Sequence, residues 1–247
     1  MQTSVKIVIL GAGGTGGYLL PHLYRIAYAA KKNIRIIVCD GDIVKEKNLI
    51  RQNFIEQDIG QNKAKVLAER YASAFGMKTE YLSEFIEKAD KLYRLLKPDS
   101  EKQIVVLIGA VDNHKSRKIC HEAFCRSKNL IYIDSGNGLQ TGQVVCGIRK
   151  NGQTVFPPAA EMFPDILQNE QDDLFPSELS CAEQSVSSPQ SIAANITAAA
   201  AVVSFVYDLL VTGSLKTKYV TFSSRLINMR AELSDTEYIQ GGVACEV

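Results

Sequence analysis

No C-x-x-C pair occurs in these 247 residues, although there are six cysteines. That excludes a zinc site built from paired cysteines, and no structural zinc is expected. The thiols are scattered, and no secretory signal precedes the first apolar run. A reducing, cytoplasmic setting is therefore expected rather than a disulfide scaffold. An excess of one charge is also missing: 28 basic and 27 acidic side chains leave a net charge of +1. Nothing in that balance favours a general binder of nucleic acid. Basic residues are absent altogether between 151 and 215, where eight acids stand: Glu161, Asp165, Glu170, Asp172, Asp173, Glu178, Glu183 and Asp208. Two readings of this stretch stay open, a solvated acidic loop and a docking surface for a basic partner. There is no internal repeat and no linker-like segment, so one domain spanning 1–247 is expected.

One stretch, residues 192–211, is apolar and about long enough to cross a bilayer. It contains Asn195, Thr197, Ser204, Tyr207 and Asp208, and four consecutive alanines at 198–201. Polar groups are costly in lipid, and small residues suit close helix packing. A core helix is expected, with no membrane contact.

What is present is a globular composition, 46% apolar, with a regular alternation of strands and helices. Apolar runs at 5–10, 34–39, 104–108 and 130–134 read as strands, and 79–82 as a further short strand. Segments 15–30 (with Pro21 inside), 62–75, 84–96 (capped by Ser83, stopped by Pro98) and 113–126 read as the intervening helices. Beyond them, 143–149 and 154–156 are β-like. Residues 157–189 hold five prolines and most of the acids, and read as a long loop with a helical turn. A helix over 190–211 and closing strands at 218–222 and 226–230 complete the chain. The pattern predicts an α/β, Rossmann-like fold: a mostly parallel, doubly wound sheet with antiparallel C-terminal strands.

The chemistry sits at the ends of these strands. Gly11, Gly13 and Gly16 form G-x-G-x-x-G between the first strand and its helix, where backbone amides can meet phosphate. Asp40 ends the second strand, in position to reach ribose hydroxyls, with Asp42 beside it. These features are shared by nicotinamide-dinucleotide enzymes. Asn48, Arg51, Gln52 and Lys63 are not, because a dehydrogenase has no use for two cations aimed at a phosphate tail. A triphosphate does, since a departing pyrophosphate needs its growing charge stabilised. Asp112 follows the fourth strand, where a carboxylate can hold Mg²⁺ against phosphate oxygens or cap the next helix.

These residues occur in a recognisable order. G-A-G-G-T-G-G at 11–17, C-D-G-D at 39–42, N-L-I-R-Q-N at 48–53 and D-I-G-Q-N-K-A-K at 58–65 closely resemble the ThiF/MoeB/HesA family, bacterial relatives of ubiquitin-activating enzymes. The resemblance continues through V-D-N-H-K-S-R at 111–117, G-L-Q-T-G-Q-V at 138–144 and C-A-E-Q at 181–184. Within the family, the chain looks most like the ThiF-like proteins of PRTRC gene clusters. The resemblance implies ATP- and Mg²⁺-dependent adenylation of the C-terminal carboxylate of a small ubiquitin-like (β-grasp) protein by a homodimer. It implies ribose at Asp40, phosphates among Asn48, Arg51, Gln52 and Lys63, and magnesium at Asp112. Cys181 falls where relatives often carry a cysteine, either an acyl acceptor or a bystander.

Two departures qualify this. Phe156-Pro157-Pro158-Ala159-Ala160 stands where relatives have the first cysteine pair of a zinc site, and the tail offers Cys245 alone. Relatives often have an N-terminal helical extension whose arginine reaches the partner subunit's ATP. Here the first strand begins at residue 5, so the expectation is that another cation substitutes (Arg117 is the candidate), that catalysis is weaker, or that a further protein completes the site. His114, His121 and Cys125, seven and four residues apart on one predicted helix, read as coincidence on an amphipathic surface. The alternatives are a non-catalytic nucleotide-binding scaffold, a tRNA-modifying dehydratase of the same superfamily, and a plain NAD(P) oxidoreductase.

Overall fold

Ile7 and Ile9 point to one side of strand β1 (Ser4–Leu10), and Val8 and Leu10 to the other. A strand apolar on both faces must be covered on both, and that requirement sets the architecture. In the computed structural model, which describes residues 4–30, 32–168 and 190–240, β1 lies inside a nine-stranded sheet. Beside it run β2 (Asn33–Cys39), β3 (Thr79–Leu82), β4 (Ile104–Gly109) and β5 (Leu130–Asn137). All are parallel, in the order β3-β2-β1-β4-β5. Then β6 (Thr141–Lys150), β8 (Ser214–Ser223) and β9 (Asn228–Ile239) extend the sheet antiparallel, and β7 (Gln153–Phe156) also pairs with β6. The expected doubly wound sheet with antiparallel C-terminal strands is the fold observed.

Helices α1 (Gly14–Ala29) and α2 (Lys63–Phe75) cover the Ile7 face, and α3 (Ala89–Leu95) and α4 (His114–Arg126) cover the Val8 face. Two short helices follow β7, α5 (Ala159–Met162) and α6 (Asp165–Gln168); α7 (Ile192–Tyr207) returns to the Ile7 face. From α1, Leu19, Leu20 and Leu23 are fully buried, each stabilising the fold by about 1.5–3 kcal/mol. Pro21 sits inside α1 without ending it. A proline has no N–H for the carbonyl four residues back, here Gly17. Asn53 supplies the missing donor, its Nδ2 reaching the Gly17 carbonyl at 2.9 Å.

The apolar stretch over α7 is long enough to span a bilayer, yet 56% of it is buried within the fold. Ala194, Ala198, Ala199, Val202 and Phe205 face inward. Packing accounts for its composition, as expected of a core helix. Ser191 caps it, accepting from the Ala194 N–H at 3.1 Å.

Two expected boundaries are corrected. The helix read at 84–96 is confined to Ala89–Leu95, and Ser83 does not cap it. Segment 83–88 stays non-helical because Ile86 is buried in the core and the Phe85 ring lies over Gly41. The last strand starts at Asn228 rather than 226. Leu226 and Ile227 form the hairpin turn, 71% and 91% exposed, and Ile227 has a left-handed φ of 53°. Apolar residues there imitate a strand without a core to face.

Candidate nucleotide site

The strand order changes direction between β1 and β4, and ligands of doubly wound sheets bind at such a switch point, beyond the carboxyl ends of the strands. Gly11 leaves β1 with φ +94°, and a Cβ there would lie 2.3 Å from the Ala110 carbonyl oxygen at the end of β4. A Cβ on Gly16 would lie 2.0 Å from the Gly11 carbonyl oxygen. These two glycines are therefore dictated by backbone contact. Gly13 is not: its nearest neighbour is the Gln52 amide, 3.6 Å from where a Cβ would stand. That leaves its backbone open to approach by a ligand.

Asp40 holds this loop. Its Oδ2 accepts from the Ala12 N–H at 2.7 Å and its Oδ1 from the Asp42 N–H at 2.8 Å. Burial pushes its carboxyl above the usual carboxylate range, with the Lys63 ammonium pulling the other way. Lys63, buried at the start of α2, donates to Asp42 Oδ2 at 2.8 Å. Asn62 caps α2 by accepting from the Lys65 N–H, and donates through Nδ2 to the carbonyls of Asp40 and Asp42. The acidic turn and the first turn of α2 thus form one unit, with Lys63 held by a carboxylate.

The loop after β2 is pinned by amides. Asn48 organises it, its Oδ1 accepting from the Lys45 N–H and its carbonyl from the Gln52 N–H. Arg51 donates from Nη1 to Gln190 Oε1 at 3.0 Å. Gln52 is buried, and its Oε1 has no partner. Asn195, fully buried on α7, donates to the Arg51 carbonyl at 3.2 Å and accepts from Asn137 Nδ2 at 3.0 Å. Thr15 in the glycine loop donates to Asn137 Oδ1 at 3.2 Å. A Cβ on Gly14 would lie 2.2 Å from the Asn195 amide, so the loop and α7 touch there. Asn53, Asn62, Asn137 and Asn195 brace the loops of the candidate site, a role that the sequence reading did not assign to them. The one available signal was Asn195, a lone amide on the inward face of an apolar helix.

A cavity of 260 Å³ opens beside this network, lined in part by Asp112, Arg117, Asn137, Gln143 and Gln190. Asp112 is exposed at the end of β4. It does not cap α4; Asn113 does, accepting from the Ser116 N–H at 2.7 Å. The carboxylate is thus left to the cavity. Arg117 is buried and tied down, donating to Asp134 Oδ1, the Val111 carbonyl and the Ser135 carbonyl. Tyr132 donates to the other Asp134 oxygen at 2.6 Å. Arg117 therefore lines the cavity as a fixed, ion-paired side chain, and does not resemble a mobile arm.

The predicted residues fall into two neighbouring groups. Asp112 shares the cavity with Gln190, which binds Arg51; Asp40, Asp42 and Lys63 cluster behind the glycine loop, outside the cavity lining. The Gln52 amide stands against Gly13 of the glycine loop. Cys181 lies outside the described residues.

Together these features define a Rossmann-like domain whose switch point carries acids, amides and the cations Arg51, Lys63 and Arg117. The chain belongs to the ThiF family, whose model matches residues 2–241. No curated protein matches the sequence. Among solved structures the fold is similar to that of E. coli MccB crystallised with ATP, with a TM-score of 0.59 and 18% identity over 92% of this chain and 63% of that one. The complex of E. coli MccB with AMPCPP and MccA gives 0.62 and 18%, covering 98% and 66%. PaaA gives 0.60 and 19%, covering 93% and 64%. The chain spans just under two thirds of the length of these relatives.

Proposed function

We propose that this protein adenylates the terminal carboxylate of a small protein or peptide, consuming ATP and releasing pyrophosphate. One observation carries the reading. The glycine loop, the Asp40–Asp42–Lys63 cluster, the unpartnered Gln52 Oε1 and the cavity-facing Asp112 all gather at the carboxyl ends of the parallel strands. The residues fit ATP. Gly13 leaves space for phosphate, Asp40 holds the loop and offers its remaining lone pairs to ribose, and Gln52 has an acceptor free for an adenosine hydroxyl. Asp112 would hold Mg²⁺, which supplies charge neutralisation to the phosphates.

In the reaction, a carboxylate oxygen of the partner attacks the α-phosphorus and the bond to the bridging oxygen breaks. Negative charge grows on the departing pyrophosphate. Lys63 and Arg51 are suited to meet it, because each now holds a weaker acceptor than a polyphosphate: Asp42 and Gln190. Phosphate binding exchanges those partners.

The finer assignment rests on the sequence resemblance: a β-grasp ubiquitin-like partner, a homodimer and a place with the ThiF-like proteins of PRTRC clusters. A second reading changes the acyl donor. MccB has been crystallised with MccA, a peptide, so a short peptide is the alternative substrate class. Exchange of radiolabelled pyrophosphate into ATP tests the reaction. Exchange is expected to require the partner and to fall by about 100-fold or more in Asp112→Ala, the scale of losing one charge-stabilising group. ATP binding without exchange, with every co-encoded small protein or peptide tried, would leave a non-catalytic scaffold.

A further inference from the structure

We propose that His121, Cys125 and Glu161 form a binding site for a zinc-like divalent cation, separate from the nucleotide site. On the sequence, His121 and Cys125 were grouped with His114. The structure brings in a third donor from another element instead. The ligand atoms of His121, Cys125 and Glu161 lie within 4.8 Å of one another, the first two on α4 and the last on α5.

Spacing and distance both suit a metal. Residues four apart share a helix face, so His121 and Cys125 can chelate together. Their Nε2–Sγ separation is 3.6 Å. Bonds of about 2.0 Å to nitrogen and 2.3 Å to sulfur at a tetrahedral angle put the two donors roughly 3.5 Å apart. The Glu161 oxygen needs to close by little more than an ångström to match. Imidazole, thiolate and carboxylate are the ligand types of zinc, and three protein donors leave a fourth position for water.

The scaffold holds the donors in place. Cys120, Ala123 and Phe124 bury the opposite face of α4 against the sheet. Pro158 packs so closely on β6 that a Cβ on Gly147 would lie 2.8 Å from it, and Ala159 and Ala160 are buried behind it. Glu161 is thereby turned outward toward α4. The His121 Nδ1 is buried without a partner. Cys125 releases its thiol proton to the solvent on binding. The bound ion would brace α4 to the start of the segment that carries the acidic stretch.

Cobalt(II) is the probe. The full chain, stripped with a chelator and titrated with Co²⁺, is expected to develop a thiolate-to-cobalt charge-transfer band with tetrahedral ligand-field bands. Zinc should displace the cobalt. Cys125→Ser should remove the charge-transfer band. His121→Ala and Glu161→Gln should each weaken cobalt binding by at least about tenfold, since losing even an outer-shell partner costs that much. Cys125 and Glu161 are exposed, so circular dichroism of those variants should match the parent, and their ATP affinity should be unchanged. No band in the parent, a band undiminished in Cys125→Ser, or parent-like affinity in Glu161→Gln would overturn the site.

Discussion

Asp40 is buried at the end of β2 and spends both carboxylate oxygens on backbone donors. Burial raises its affinity for a proton in the fold. The sign of the resulting pH dependence follows. Its contribution to stability is fully present below the unfolded carboxyl's pKa of about 4, and is lost as pH rises through the higher native value. In Asp40→Asn this dependence disappears, and one buried N–H faces an amide NH₂ instead of an oxygen, costing about 1–3 kcal/mol. Denaturant unfolding at a series of pH values is expected to show the parent's advantage over Asp40→Asn shrinking from about pH 4 upward. An advantage that grows with pH would mean that the hydrogen bonds, and not burial, govern this carboxyl.

At the scale of elements, α7 is more than a cover for the sheet. Asn195 links it to the Arg51 carbonyl, to Asn137 at the end of β5 and, by contact, to Gly14. Three separate strand ends are thereby fixed relative to one another. Asn195→Ala leaves buried amide partners unsatisfied, a cost of about 1–3 kcal/mol. Thermal unfolding should report this as roughly 2–4 °C per kcal/mol for a chain of this size. ATP affinity should fall with it, because the Arg51 loop loses its anchor. An unchanged melting temperature would remove Asn195 from the site. This link shows where sequence reading stops. The helix was legible from its apolar length and its alanines. That one of its polar residues holds a loop 144 positions earlier was not, because tertiary pairing leaves no periodic trace. The misplaced start of α3 has the same origin: Phe85 and Ile86 follow the demands of Gly41 and the core, which override local helix propensity.

For the whole molecule, the parallel half of the sheet was legible because its central strands β1, β2, β4 and β5 are short, largely apolar runs closed by turns. The ordered motifs placed the glycine loop, Asp40 and Asp112 at their strand ends. What the motifs did not convey is the division of the site. Lys63 rests on Asp42 behind the glycine loop, whereas Asp112 and Gln190, the partner of Arg51, line the cavity. One Mg·ATP must draw these groups together for the proposed reaction to run. Calorimetric titration of the chain with Mg·ATP, beside Arg51→Ala, Lys63→Ala and Asp112→Ala, tests this directly. The expected result is magnesium-dependent binding that each substitution weakens by at least about tenfold, about 1.4 kcal/mol. Affinity indifferent to all three substitutions, or a preference for a nicotinamide dinucleotide over ATP, would contradict it.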